Sequence, residues 1–105
     1  MQTMDIRDEQ GRLRSFEISS WMGRRRIAKV IGNIANAHVI KTTSGFTWNL
    51  IVPNRDELVC MFELAGIRFK VTEDYGDSDR YWIGPEDHEI HPETEMIRQV
   101  FANLP

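Results

Sequence analysis

The chain has 105 residues, a formal net charge of −3, 41% hydrophobic and 28% charged residues. Pro and Gly are scarce and no low-complexity tract occurs, which excludes a disordered chain; the balance is that of an ordinary globular domain. No apolar run approaches the roughly 20 residues that span a bilayer, and Met1-Gln2-Thr3-Met4-Asp5 has no secretory pattern. One cysteine, Cys60, cannot form an internal disulfide, which fits a reducing compartment. The expectation is a single cytoplasmic domain over residues 1–105.

The charge is unevenly spread. Residues 1–55 hold nine Lys/Arg against four Asp/Glu, whereas residues 56–105 hold four against twelve. Such asymmetry points to a polar molecule with two differently charged surfaces, or it disappears when folding interleaves the halves.

In chain order, Asp5–Arg12 reads as a short strand entering a turn at Gly11, and Leu13–Ile18 leaves it as a second strand. Ser19 or Ser20 then caps a helix opening at Trp21. Its apolar arc is Ile27, Val30, Ile31 and Ile34, widened by Trp21, Ala28 and Ala35, with Arg25, Arg26 and Lys29 opposite. Arg24 projects into the arc on a stem long enough to carry its charge out. Ala37–Thr42 reads as a strand, and Thr43-Ser44-Gly45 turns it into another at Phe46–Val52.

Beyond Pro53, Asn54 stands as an N-cap with Glu57 three residues on, and Leu58, Met61, Phe62 and Ala65 recur at helical spacing. Gly66 then reads as the left-handed helix stop. Ile67–Thr72 alternates as a strand, Glu73–Asp79 is an acidic loop, and Arg80–Ile83 is a short strand closed by Gly84-Pro85. Pro92 opens a last helix, with Glu93 and Glu95 in its first turn and a stripe of Met96, Ile97, Val100, Phe101 and Leu104.

This order predicts an α+β fold with a ferredoxin-like β-α-β-β-α-β core, an added N-terminal strand, a short strand near residues 80–83 and a C-terminal helix. Two helices would cover one sheet face, leaving the last helix to cover the other. The arrangement resembles RNA-recognition domains in strand order only. Those domains stack bases on outward aromatics, whereas here the aromatics alternate with basic residues and so face the core.

Four clusters are candidate sites. The run Arg24-Arg25-Arg26-Ile27-Ala28-Lys29 suits phosphates, and Arg25, Arg26, Lys29, Arg68 and Lys70 form the candidate nucleic-acid set, the last two on an outward sheet face. A solvated amphipathic face accounts for most of the same charges. Asp74, Tyr75, Asp77 and Asp79 form the candidate contact for a basic protein partner; the loop lacks the spacing and terminal Glu of a calcium loop. His88 and His91, beside Glu86 and Asp87, lack the third ligand and the Cys pairs of zinc sites, and His91 stands where a helix cap belongs. Cys60 has no base placed beside it by any motif. No phosphate-cradling Gly-rich loop or nucleophile elbow occurs, so no cofactor, metal or catalytic residue is assigned.

The favoured reading is a non-enzymatic interaction module, of the immunity or antitoxin kind, that uses acidity for fast association with a protein. A nucleic-acid-binding domain is the first alternative. The second is a small-ligand or enzymatic domain at a subunit interface, with homo-oligomers open to all three.

Overall fold

The computed structural model describes residues 1–42, 57–73 and 79–105. Strand β1 (Met4–Arg7) and strand β2 (Leu13–Ser19) form a hairpin. Asp8 builds its turn: the carboxylate accepts the backbone N–H groups of Gln10 and Arg12, each at 2.9 Å. A short 3-10 turn (Ser20–Met22) leads to helix α1 (Arg24–Gly32), then strand β3 (Ala37–Thr42). Strands β4 (Glu57–Leu64), β5 (Ile67–Glu73) and β6 (Arg80–Pro85) precede helix α2 (Pro92–Ala102). The six strands make one antiparallel sheet in the order β1-β2-β6-β5-β4-β3.

The α+β class holds, but the ferredoxin-like order does not. Residues 57–64, expected to complete the second helix, are strand β4. Cys60, Phe62 and Leu64 are buried while Met61 and Glu63 between them are half-exposed, a period of two that competes with the helical spacing of Leu58, Met61 and Phe62. What decides is the neighbour. β4 pairs along its length with β5, and the rings of Phe62 and Phe69 stack 5.4 Å apart across the pair. Ala65 and Gly66 are the two residues between Leu64 and its partner Ile67, at φ 55° and 78°. Two successive positive φ values make the hairpin turn whose twist matches the strands. Gly66 is thus a left-handed residue, as its position suggests, but in a hairpin and not at a helix end.

The first helix also begins later than expected. Trp21 belongs to the 3-10 turn and is 70% exposed. Gly23, not Ser19 or Ser20, is the N-cap, and it offers no side-chain hydrogen bond. The predicted strand Phe46–Val52, its leading turn Thr43–Gly45 and the cap at Asn54 lie outside the described residues.

Register fixes the two faces of the sheet, because directly paired residues point to the same side. Phe16 pairs with Ile83, Ile83 with Val71 and Val71 with Cys60. On that same side Ile18 pairs with Tyr81 and Tyr81 with Glu73. Phe101 of α2 packs on Phe16 with ring centroids 5.9 Å apart. Arg24 of α1 ion-pairs with Glu73. Both helices therefore lie on one face, and α2 does not cover the opposite one as the sequence suggests. Phe16, Ile18, Ile27, Ile31, Phe62, Phe69, Ile97 and Phe101 are sealed in the single core between helices and sheet. No helix among the described residues is long and apolar enough to cross a membrane.

Candidate functional site

Helix α1 buries Ile27 and Ile31 against the sheet, which turns Arg25, Arg26 and Lys29 outward into solvent. Arg24 turns the other way. Its guanidinium donates to Glu73 of β5, and both side chains are largely buried. Tyr81 stands in the same neighbourhood: burial raises its phenol first, and the negative charge of Glu73 adds to the rise.

The remaining arginines of the described chain are mostly tied down. Arg7 reaches Asp5 and Glu95, Arg12 reaches Asp8, Arg68 reaches Glu86, Arg80 reaches Glu17 and Arg98 reaches Asp5. Arg14 donates to the carbonyl of His88. Arg25, Arg26 and Lys29 have no carboxylate within ion-pairing distance among the described residues. Arg24, Arg25 and Arg26 also fill the first turn of α1, which holds no acidic residue. A helix N-terminus is the positive end of the helix dipole and disfavours cations. The placement thus works against helix stability, the kind of local conflict that marks functional surfaces.

The opposite sheet face carries a different set. Trp82, Lys70 and Gly84 lie there, because Trp82 pairs with Glu17 and Thr72 and Gly84 with Lys70. The indole N–H donates to Ser15 Oγ at 3.1 Å, the Lys70 ammonium sits 5.9 Å from the ring and the His88 imidazole 5.5 Å from it. Arg68 shares this face, paired across strands with Glu63 and 3.8 Å from Glu86. The five residues of the predicted nucleic-acid set are therefore divided. Arg25, Arg26 and Lys29 lie on the helix side; Arg68 and Lys70 lie on the other, where a carboxylate and an indole already engage them.

Of the acidic loop, Asp74, Tyr75 and Asp77 lie outside the described residues, and Asp79 is exposed just before β6. His91 is the N-cap of α2, yet its side chain makes no capping bond. Its Nε2 lies 3.0 Å from both carboxylate oxygens of Asp87. The backbone N–H of Glu89 holds the Asp87 carboxyl below its ordinary range, with His91 assisting. No group of three or more His, Cys, Asp or Glu among the described residues gathers to hold a metal. Cys60 is fully buried on the helix side of β4, and burial pushes its thiol up to about 11, the opposite of an activated nucleophile.

Two features escape sequence reasoning. One is the exposure of Trp21, whose only signal is the nearby Gly23 that ends the turn. The other is strand β3 at the sheet edge, with Val39 and Ile40 exposed at 40% and 47%. A register shift between Val39 and Lys41 interrupts the alternation there, so adjacent apolar residues both reach the surface. No protein-family model, curated protein or solved structure matches the chain.

Proposed function

We propose that this chain is a small, non-enzymatic interaction domain that docks an anionic surface of another protein on the outward face of α1. The observation that carries the reading is the contrast in pairing. Arg25, Arg26 and Lys29 stand without a carboxylate among the described residues, the two arginines in a first turn that disfavours cations, while the other described arginines are engaged. Trp21, exposed in the turn before α1, adds a large side chain of the type that anchors protein interfaces. A lone buried thiol with a raised pKa suits the cytoplasm and supplies no chemistry.

Affinity capture with the triple charge reversal R25E/R26E/K29E, with and without nuclease, tests this. A protein partner retained by the wild-type chain through nuclease treatment and high-purity washing, and lost by the reversal, supports it. The same exposed Trp21 favours a second reading, in which bases stack on the indole and phosphates meet the cations. That reading requires capture to fail after nuclease. It also requires binding to an oligonucleotide whose log–log salt slope is about −2 to −3, the value for three phosphate contacts.

A further inference from the structure

We propose that this chain forms a two-fold dimer through strand β1, two copies pairing edge to edge, antiparallel and centred on Ile6. The inference goes beyond the reading of α1 and does not depend on it.

β1 ends the sheet, and among the described residues β2 alone pairs with it. An edge strand keeps a row of backbone N–H and C=O groups on its outer side, which a further strand satisfies by continuing the sheet. The chain on both sides of β1 is described, and Asp5, Ile6 and Arg7 are exposed. Asp5 pairs with Phe16 and so lies on the helix side, where Arg7 also reaches Glu95 of α2. Ile6 pairs with Ser15 and points to the open face.

Charge on an edge strand ordinarily keeps other strands away. Here it selects one. A two-fold axis through Ile6 sets Asp5 of each copy opposite Arg7 of the other, with Ile6 against Ile6 on the open face. Directly opposed side chains of an antiparallel pair have Cβ atoms about 5 Å apart, close enough for opposite charges to attract. Sliding the strands by two residues either way sets Asp5 against Asp5 or Arg7 against Arg7, which repel.

α2 repeats the pattern one layer up. Arg98 binds Asp5 at 2.8 Å and Glu95 lies 3.6 Å from Arg7, so the same axis brings Arg98 level with Glu95 of the second copy. Two acids and two bases thus form an edge that is its own complement, as an isologous interface demands. The helices leave room for it. α2 packs on β2 through Phe101 and Phe16, one strand in from the edge. Three strand spacings put the two α2 helices about 14 Å apart, beyond the roughly 10 Å at which packed helices touch. α1 packs on β3 and β4, away from the seam, so the dimer carries two α1 cation faces.

The test uses the whole chain. Sedimentation equilibrium of the wild type is expected to show a concentration-dependent dimer, with amide exchange in β1 slowing as the dimer fills. Ile6→Glu and Ile6→Lys alter an exposed side chain outside the ion pairs. Each should weaken the dimer by about tenfold or more, because like charges then meet on the axis. An equimolar mixture should restore it, as Glu meets Lys, and R25E/R26E/K29E should leave it intact. A wild type that stays monomeric at millimolar concentration overturns the proposal. So does a dimer that both Ile6 variants retain, one that the α1 reversal dissolves, or natively folded variants whose mixture stays monomeric. Where a variant loses its native circular dichroism, the wild type decides: β1 exchange that is independent of concentration overturns the proposal.

Discussion

Trp82 lays its indole across Gly84, two residues along the same strand, so closely that a Cβ at Gly84 would stand 2.8 Å from ring atoms Cη2 and Cζ2 and equally close to the Cβ of Ser15. The absent side chain makes room for the present one. With the indole N–H bonded to Ser15 and Lys70 and His88 against the ring, this cluster organises the sheet face that neither helix covers. Gly84→Ala is expected to destabilise the fold by about 1–3 kcal/mol, the usual range for overpacking. Urea unfolding reads it. In a double-mutant cycle Trp82→Ala should recover part of the loss, with the Ser15 clash left behind.

Phe101 ties α2 to the sheet. It is fully buried and packs on Phe16, so Phe101→Ala should cost about 3–5 kcal/mol. Met96, on the same helix, is 56% exposed, and Met96→Ala should change stability by no more than about 0.5 kcal/mol. Equal losses in chemical denaturation would contradict the assigned face of α2.

Cys60 should be unreactive toward iodoacetamide in the native chain and react once the chain unfolds. Its folded pKa is raised by burial, so the neutral thiol is favoured in the fold. That contribution is complete below the ordinary thiol value near ~8.5. It is lost as pH rises toward about 11. Cys60→Ala should flatten the alkaline limb of stability against pH across that window.

Asp5 shows the acid counterpart. Burial pulls its carboxyl up, but hydrogen bonds from Thr3, Arg98 and Arg7 outweigh that and hold it below the ordinary range. A depressed carboxyl stabilises the fold above its unfolded pKa and loses that contribution as pH falls through the folded one. Asp5→Asn should therefore destabilise at neutral pH, with the difference from wild type closing in acid. A constant difference at every pH would remove the charge of Asp5 from the account of how β1 is held to α2.

Much of the fold is legible in the sequence where a local rule acts alone. Gly11 and Asp8 specify the first hairpin, Pro92 opens the last helix, and the alternation from Ile67 sets β5. The error at β4 arises because two periods coexist in one stretch. Leu58, Met61 and Phe62 satisfy a helix, Cys60, Phe62 and Leu64 satisfy a strand, and a glycine follows that ends either. Only the stacking of Phe62 on Phe69 and the pairing with β5 separate them, and neither is local. The basic helix was visible as a charge pattern. Which of its cations would be neutralised was not, since Arg24 finds Glu73 through the tertiary fold.

The route of the chain through the sheet also bears on how the protein reaches its native state. From β2 the chain passes through α1 to β3 at the far edge, and β4, β5 and β6 then step back strand by strand until β6 meets β2. The pairs β4–β5 and β5–β6 join neighbours in sequence, whereas Phe16 and Ile83 come from opposite ends. Closing the β2–β6 seam therefore carries the largest loop entropy among the described strand pairs, and pairings of such long range are the kind that slow folding. Any partly folded chain in which β4, β5 and β6 have paired without β2 would hold an unpaired edge at β6, the kind of exposed edge that invites misassembly.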